Sequence, residues 1–271
     1  MIIAIDTGGT KTLVASLDDN GVVTYSTKFP TPPKTKDWVL AIKKLLEDNW
    51  RAKDIDAITI GVPGIVKDGV AIWCNNLGWQ DFDIAAAFRG VAEDTPILIE
   101  NDANLAGLAE ARSLDKTPLS AFYVTISTGI GTGCITNGYI DPGLAFSEGG
   151  RSLVEYDGKV REWESFASGK AIASVYGKFA RDIESRHTWN EIADRISRGF
   201  LALIPVIQPD VIIIGGSIGT YFDKYGDALI TILREHLPAH IPCPKIVQAV
   251  HPEQAVIYGG YYYAKDFLDR K

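Results

Sequence analysis

Cysteine is scarce in this sequence of 271 residues, and the three cysteines, Cys74, Cys134 and Cys243, lie far apart in no C-x-x-C spacing. An odd number of cysteines without such spacing predicts reduced thiols and not a disulfide framework. The N-terminus, MIIAIDTGG, lacks the basic segment and long apolar run of a signal peptide, so we interpret it as a buried strand. No apolar stretch approaches the roughly 18 residues that a membrane span needs. We therefore expect a soluble, cytoplasmic protein with no membrane partner.

An excess of positive charge is also missing. The chain has 27 Lys and Arg against 34 Asp and Glu, which gives a formal net charge of −7. Because binding along nucleic acid draws on clustered Lys and Arg, a nucleic-acid partner is not expected, although a local basic pocket for one nucleotide stays open. Hydrophobic residues make up 46% and charged residues 23%, an ordinary globular composition. The length favours two domains.

A repeated pattern organises the chain. In the first half an apolar strand (2–6) leads through a Thr-Gly turn to a second strand and then to Asn20-Gly21. The second half repeats this order from the strand at 121–128 to Asn137-Gly138. Asn-Gly indicates a hairpin because both central residues of a type I′ turn need positive φ. The repeat predicts a duplicated β-meander.

The remaining elements follow from apolar spacing. Helical spacing begins at Trp38 and ends near Trp50, and a capping-box pattern, Thr188-x-x-Glu191, is predicted to open a long helix. Apolar runs predict three further strands, one at 56–64 that is stopped by Pro-Gly, one at 97–104 and one at 209–219 that runs into glycines. Helices are predicted at 103–112, where the second of these strands leads directly into a helical stretch, and at 255–268.

Two glycine turns, 7–10 and 128–133, are candidates for phosphate binding. A turn without Cβ atoms brings bare backbone N–H groups close to phosphate oxygens, and threonine hydroxyls add donors. Neither turn is a P-loop or a dinucleotide fingerprint, because both lead into strands. The alternative for either turn alone is an ordinary hairpin turn. One such turn in each half favours the phosphate interpretation, and Gly215-Gly216 after a later strand is a weaker candidate for adenosine.

Two aspartates lie at strand ends, where α/β proteins place chemistry. Asp6 ends the first strand and can hold Mg²⁺ through water, or it can cap the turn. Asp102 precedes a predicted helix and can take the proton from a sugar hydroxyl that attacks a γ-phosphate. Its alternative role is the N-cap of that helix, and the two roles are compatible. Candidates for binding a polyol are Asn76, Asn101, Glu148 and Glu164.

Six segments together resemble the ROK family, which contains ATP-dependent sugar kinases and sugar-responsive repressors within the actin-like ATPase superfamily. They are DTGGTKT (6–12), GVPG (61–64), NNLGW (75–79), ENDANLAGLAE (100–110), TISTGIGTG (125–133) and PDVIIIGG (209–216). The resemblance implies an α/β, two-domain actin-like ATPase (ribonuclease H-like) fold with a duplicated β-meander plus helices and an interdomain active-site cleft. It places the first domain at 1–113, with a C-terminal helix at about 256–271 packing back on it, and the second at 114–255.

The resemblance also implies a site with ATP and Mg²⁺ as cofactors. Asp102 matches the family's catalytic base. The sugar-binding positions are Asn76, Asn101, Glu148, Glu164, Gly64 and Arg151. The nucleotide-binding positions are Asp6 (with Mg²⁺ held through water), Gly8, Gly9, Thr10, Lys11, Thr128, Gly129, Gly131, Thr132, Gly215 and Gly216.

The chain departs from the family pattern in two places. Arg151 replaces the histidine of the E-x-G-H motif, and YDGKVREWE (156–164) stands where the family has its zinc-binding CxCGxxGCxE segment. A structural zinc needs about four N or S ligands, and no cysteine or histidine falls in this loop, so no zinc is expected. We expect packing of Trp163 and Phe166 and ion pairs of Arg151 to hold the loop instead. Arginine cannot accept a hydrogen bond as neutral histidine can, so the sugar stays open.

The expected function is transfer of the γ-phosphate of ATP to a hydroxyl, the 6-hydroxyl, of a hexose or N-acetylhexosamine. One alternative is a polyphosphate-dependent glucokinase, although no long basic track is visible. Another is a non-catalytic sensor of sugar or nucleotide with the same fold. The first strand begins at Ile2, so a helix-turn-helix and the repressor branch are not expected. The resemblance favours a homodimer.

Overall fold

The computed structural model describes residues 1–91, 95–251 and 253–270. The strands in these ranges are β1 (Ile2–Thr7), β2 (Lys11–Leu17), β3 (Val23–Pro30), β4 (Ala57–Val62), β5 (Ile65–Lys67), β6 (Val70–Cys74), β7 (Trp79–Asp83), β8 (Ile97–Asn101), β9 (Ser120–Ile126), β10 (Ile130–Thr136), β11 (Tyr139–Ile140), β12 (Leu153–Tyr156), β13 (Lys159–Glu162), β14 (Val211–Gly215) and β15 (Lys245–Gln248). The α-helices are α1 (Thr35–Asn49), α2 (Ile84–Ala87), α3 (Asp102–Arg112), α4 (Glu164–Ala167), α5 (Gly169–Tyr176), α6 (Arg186–Ile207), α7 (Gly216–Gly219), α8 (Phe222–His236) and α9 (Ala255–Leu268).

The chain forms two compact units. Unit 1 comprises Met1–Ala109 together with Gln254–Lys271, and unit 2 comprises Glu110–Glu253. Within the described ranges, none of the helices combines the length and the apolar composition needed to cross a bilayer.

The main sheet of unit 1 has the strand order β3-β2-β1-β4-β8. Strands β1, β2 and β3 form an antiparallel meander, while β4 pairs parallel with both β1 and β8. All six residues of β4 are buried, as expected for a parallel strand covered on both faces. Trp38 and Ile42 of α1 pack in one core cluster with Ile3 and Ile5, while Ile257 of α9 packs in another. The sheet therefore lies between layers of helices.

A smaller antiparallel sheet in unit 1, of order β5-β6-β7, carries the loop with Asn76. Trp79 anchors the end of this loop, because it is 4% exposed and its ring centroid lies 4.9 Å from that of Trp38. Gly78 supplies the left-handed backbone conformation (φ 66°) that ends the short 3-10 turn at Asn75–Leu77.

Unit 2 repeats the plan of unit 1. Its main sheet has the order β11-β10-β9-β14-β15, with an antiparallel meander of three strands followed by two parallel ones. This confirms the predicted duplication of a β-meander in an α/β fold with two domains. Its core includes the large side chains of Trp163, Trp189, Phe200 and Tyr225, all buried.

The structure corrects the predicted start of the long helix. Helix α6 begins at Arg186, and Ser185 is its N-cap, with its hydroxyl accepting the backbone N–H of Thr188 at 3.3 Å. The predicted capping box at Thr188 and Glu191 is therefore wrong. Ser185 competes for the cap because it lies three residues earlier, so that Thr188 supplies the N–H that is capped.

The two Asn-Gly turns differ. Asn137 and Gly138 have φ values of 54° and 77°, as a type I′ turn requires. At Asn20-Gly21 only Gly21 has positive φ (75°), and the carboxylate of Asp18 accepts the N–H groups of Asn20 and Val22, each at 2.9 Å. This hairpin is thus closed by an Asx-type loop and not by a type I′ turn.

Candidate active site

In unit 1, two half-buried aspartates interact electrostatically. Asp6 is the fifth residue of β1, and Asp102 is the first residue of α3, directly after β8. Burial raises the pKa of Asp102 to about 6. Burial, and then the negative charge of Asp102, raise the pKa of Asp6 to about 7, while Lys28 acts in the opposite direction. Carboxyl groups with raised pKa values can take up or release a proton near neutral pH, and two neighbouring carboxylates can also bind a cation.

The side chain of Asn101 caps helix α3. Its Oδ1 accepts the backbone N–H of Asn104 at 2.9 Å, and its Nδ2 donates to the carbonyl of Gly64 at 2.8 Å. The bond from the side chain to the N–H three residues later is the N-cap bond. The capping role considered for Asp102 therefore belongs to Asn101. The Asp102 carboxylate instead accepts the adjacent N–H of Ala103 at 2.7 Å.

Two further residues at this strand end were missed by the sequence interpretation. Glu100 accepts the N–H of Asn101 at 2.8 Å and the side-chain N–H of Asn104 at 3.0 Å. Asn104 is 2% exposed, and its buried side chain holds the Glu100 carboxylate at the strand end. The run of acidic and amide side chains in ENDAN (100–104) is the sequence signal that could have indicated both residues.

Lys28 was also missed. Its position follows from strand register, because Asp6 pairs with Leu13 on β2 and Leu13 pairs with Lys28 on β3. Residues opposite each other in an antiparallel sheet share a face, so the hairpin register brings this positive charge to the face of Asp6.

The first glycine turn comprises residues 8–10, one residue fewer than predicted because Thr7 ends β1, and it is held by Thr31. The Gly8 N–H donates to the carbonyl of Lys11 at 2.9 Å, and the Thr31 hydroxyl donates to the carbonyl of Gly8 at 2.7 Å. A Cβ on Gly9 would lie 2.7 Å from the backbone carbonyl oxygen of Asn76. Glycine is therefore required here by the approach of the Asn76 loop, whatever binds at the turn. The exposed residues of this group are Gly9, Thr10, Lys11 and Asn76.

In unit 2, the glycine turn is shorter than predicted. Strand β9 ends at Ile126 and β10 begins at Ile130, so Gly131 and Thr132 lie in the ladder opposite Thr125 and Val124. The predicted turn over 128–133 is wrong in extent, because pairing with β9 continues through these residues. The Thr132 hydroxyl is buried, and it accepts the N–H of Gly149 at 2.9 Å. Thr132 thus supports the loop that carries Glu148.

Glu164, the first residue of α4, lies against this turn. Its Oε2 accepts the N–H of Ile130 at 2.8 Å. A Cβ on Gly129 would overlap the same carboxylate. Its Oε1 lies 3.5 Å from Nη2 of Arg151. The structure therefore brings Glu164 together with both the glycine turn and Arg151.

Arg151 forms the ion pairs expected from the sequence. Its Nη1 donates to Glu162 at 2.7 Å. The hydrogen bond to Glu162, together with the negative charges of Glu164, Glu162 and Glu148, raises the pKa of Arg151. Arg151 therefore stands among three carboxylates that belong to the two loops with the predicted sugar-binding glutamates.

Aromatic packing holds the same loop, as predicted. Trp163 is fully buried and packs edge-on against Phe200 at 5.2 Å between ring centroids. Phe166 stacks on Tyr156 with centroids 4.6 Å apart and planes 3° from parallel. Within the described residues, no three or more His, Cys, Asp or Glu side chains are grouped as a metal site would require. The absence of zinc itself stays a prediction.

The predicted adenosine glycines lie next to the glycine turn of unit 2. Gly216 has φ 78°, and a Cβ on it would lie 2.6 Å from both the Ile126 carbonyl oxygen and the Ser127 hydroxyl. The Ser217 N–H donates to the Ser127 hydroxyl at 3.0 Å. The end of β14 and the turn after β9 thus form one continuous surface.

A pocket of about 510 Å³ adjoins this surface within unit 2. Thr128 and Glu164 line it, and so do Ser168 and Lys170 at the start of α5. Ser168 caps that helix, because its hydroxyl accepts the N–H of Ala171 at 3.3 Å. The strand pattern of the sequence offered no sign of this pocket, because a helix from a later part of the chain forms one wall.

Comparison with known proteins assigns the family. The ROK family model matches residues 2–267. This chain belongs to the ROK family. It is 27% identical over 265 residues to an N-acetylmannosamine kinase of Salmonella typhimurium. The alignment covers 88% of this chain and 90% of that relative.

Two solved structures show the same fold. A ROK family glucokinase from Streptomyces griseus, in complex with glucose and AMPPNP, superposes with a TM-score of 0.82 at 23% identity, covering 98% of this chain and 99% of that one. A ROK family protein from Streptococcus pneumoniae, in complex with sucrose, superposes with a TM-score of 0.84 at 24% identity, covering 100% and 99%. The α/β, two-domain actin-like fold predicted for the ROK protein is thereby confirmed.

Proposed function

We propose that this ROK protein is an ATP-dependent sugar kinase that transfers the γ-phosphate to the 6-hydroxyl of a hexose or N-acetylhexosamine. The observation that carries the proposal is the position of the Asp102 carboxylate and its freedom from a structural role. Its carboxylate lies at the end of a parallel strand and is relieved of helix capping by Asn101, and its pKa is raised to about 6. The names of the relatives, N-acetylmannosamine kinase and glucokinase, support the same chemistry.

Asp102 acts as the general base. The sugar hydroxyl oxygen attacks the γ-phosphorus while its proton passes to Asp102, and the bond from the γ-phosphorus to the bridging oxygen breaks to release ADP. A base works best when its pKa lies near the working pH yet leaves it ionised, and a value of about 6 meets both conditions at pH 7 to 8. Most of the catalysis in phosphoryl transfer comes from positioning and electrostatics.

The residues of unit 1 fit a magnesium nucleotide. The raised pKa of Asp6 reflects first the burial of its carboxylate and then repulsion by the negative charge of Asp102. A divalent cation would relieve this repulsion, so Asp6 is the side chain that would hold Mg²⁺ through water. When bound, Mg²⁺ neutralises charge on the phosphates. The exposed turn with Gly9, Thr10 and Lys11 offers N–H groups and a positive charge to those phosphates.

Asn101 retains capacity to recognise the sugar. An amide side chain has two N–H groups and two acceptor lone pairs, and Asn101 uses one N–H on Gly64 and one lone pair on Asn104. One N–H and one lone pair therefore stay available for a sugar hydroxyl. Because both protein partners are backbone groups, the amide is held in a fixed orientation. Glu148 and Glu164 complete the proposed set in unit 2.

Sugar-dependent release of ADP across hexoses and N-acetylhexosamines tests the proposal, with Asp102→Asn as the decisive variant. We expect turnover with at least one sugar, and a fall of about 10²–10⁴-fold in the variant. Asp83→Asn is the matched control, because Asp83 is an exposed helix-capping aspartate of the same unit and should leave kcat unchanged. Near-normal turnover in Asp102→Asn would remove Asp102 from the base role. Sugar binding in a calorimeter without turnover would favour a sensor, and a higher rate with polyphosphate would change the donor.

A further inference from the structure

We propose that Glu164 couples the two substrates: without sugar its carboxylate occupies the glycine turn at 127–130, and with sugar bound it leaves the turn open to the nucleotide phosphates. Sugar binding would thereby strengthen nucleotide binding. This inference rests on the proposed kinase function and assigns to one residue a role in both half-sites.

The first support is the hydrogen bond from the turn to the carboxylate. The Ile130 N–H donates to Glu164 Oε2 at 2.8 Å, which is a short bond with a charged acceptor. A phosphate oxygen bound at the same turn would seek the same kind of backbone N–H. In this structure the donor is therefore taken by a side chain of the protein itself.

The second support is the closeness of the carboxylate to Gly129. The position of a Cβ on Gly129 is filled by Glu164 Oε2, so the negative charge lies directly against the backbone of the turn. Two like charges that share a partly buried site disfavour each other. Glu164 in this position therefore opposes a phosphate by charge as well as by occupying a donor.

The third support is the unequal attachment of the two carboxylate oxygens. Glu164 Oε1 lies 3.5 Å from Arg151 Nη2, beyond a good hydrogen bond, whereas Arg151 Nη1 lies 2.7 Å from Glu162. Glu162 thus anchors the guanidinium while Glu164 is held loosely on that side. Sugar hydroxyls that donate to Glu164, with Arg151 beside it, would draw the carboxylate away from Ile130.

The turn is also connected to the proposed adenosine site. The Ser127 hydroxyl accepts the N–H of Ser217, which follows Gly216 at the start of α7. A change at the turn therefore reaches the residues proposed to bind both the phosphates and the adenosine.

Linkage gives the coupling a measurable form. Binding free energies are reciprocal, so the factor by which sugar tightens nucleotide binding equals the factor by which nucleotide tightens sugar binding. Couplings between sites are commonly about 5–150-fold, and we expect about tenfold here.

The test is calorimetric titration of AMPPNP with Mg²⁺ into the full chain, with and without saturating sugar. The sugar is the hexose or N-acetylhexosamine that gives the fastest turnover in the test of the proposed function. In the wild-type protein we expect sugar to lower the AMPPNP Kd about tenfold. In Glu164→Gln, which keeps the size but removes the charge, the sugar-free Kd should fall several-fold, and sugar should then change it less than about twofold.

Glu162→Gln is the matched control, because it removes a charge from the same loop and from the same arginine without touching the turn. Its sugar-free Kd for AMPPNP should stay at the wild-type value. An unchanged or weakened sugar-free Kd in Glu164→Gln overturns the inference, since loss of a simple sugar ligand would not tighten nucleotide binding. Turnover without coupling in the wild-type protein overturns the inference alone, whereas absence of turnover with every sugar overturns the proposed function and the inference with it.

Discussion

Asn101 Oδ1 accepts the backbone N–H of Asn104 at 2.9 Å, and this single bond separates the structural and chemical roles at the start of α3. Because Asn101 caps the helix, the next residue, Asp102, is free of that role. The same Asn101 side chain reaches the Gly64 carbonyl and so connects the end of β8 to the loop after β4. The amide thus holds in place the strand end that presents the proposed base.

Replacing Asn101 tests this relationship. Asn101→Ala removes the cap and the bond to Gly64, so we expect it to lower the free energy of unfolding by about 2 kcal/mol. Asn101→Ser keeps a capping oxygen but cannot reach Gly64, and should recover about 1 kcal/mol. Urea unfolding of the three proteins measures both values. Equal stability of the alanine and serine variants would show that the cap contributes nothing.

Asp102→Asn should make the unliganded protein more stable at high pH. The pKa of Asp102 is raised in the folded state, so the folded protein holds the proton more tightly than the unfolded chain does. Stability contributed by this group is therefore lost as pH rises from about 4 through about 6. Removing the charge should recover about 3 kcal/mol at pH 8 and nothing at pH 4.

Thermal unfolding from pH 4 to 8 gives the comparison. Asp115→Asn is the control, since it makes the same charge change at an exposed position. A variant curve for Asp102→Asn that runs parallel to the wild-type curve would contradict the raised pKa.

The pH dependence of catalysis follows from the same pair. Because protonated Asp102 cannot accept the hydroxyl proton, kcat/KM for the sugar should fall on the acid side. At saturating ATP and Mg²⁺ the apparent pKa should lie below the values of about 6 and about 7 of the cation-free pair, because a bound cation favours ionised carboxylates. Steady-state rates from pH 4 to 9 measure it, and a flat profile down to pH 4 would argue against Asp102 as the base.

Arg151 should act on sugar affinity and not on the chemical step. Arg151→Met removes the pair with Glu162 and the contact with Glu164, so we expect the sugar KM to rise about tenfold with kcat within about twofold. The sugar KM of Arg151→Lys should lie between those of the wild-type protein and Arg151→Met, because lysine keeps the charge but cannot direct two nitrogens at two carboxylates. Steady-state kinetics separate KM from kcat. A fall in kcat with unchanged KM would instead show that Arg151 stabilises the transition state of the chemical step.

Removal of zinc should have no effect on this protein. Ion pairs and aromatic packing hold the loop at 151–166, whereas a structural zinc supplies folding free energy that chelation removes. Dialysis against EDTA, followed by Mg²⁺ alone, should restore full turnover and leave the Tm unchanged. Recovery that needs added zinc would disprove the prediction.

Much of the fold was determined by the sequence itself. Apolar strands separated by Thr-Gly and Asn-Gly turns predicted two similar meanders, and the order of six motifs predicted the ROK family, both of which are confirmed. These predictions succeeded because strand alternation and turn geometry are local properties of neighbouring residues. Asp102 was likewise recognisable as a polar residue where an apolar strand ends.

Tertiary structure decided which of several possible roles each residue has. The sequence left Asp102 as base or cap, and only the positions of Asn101 and Asn104 assigned the cap. The sequence indicated that Gly129 lies in a turn without Cβ atoms. In the structure the carboxylate of Glu164, 35 residues later, fills the space beside it. Lys28 reaches the face of Asp6 only through the register of two strand pairs. Such contacts depend on how distant segments pack, and neighbouring residues do not encode them.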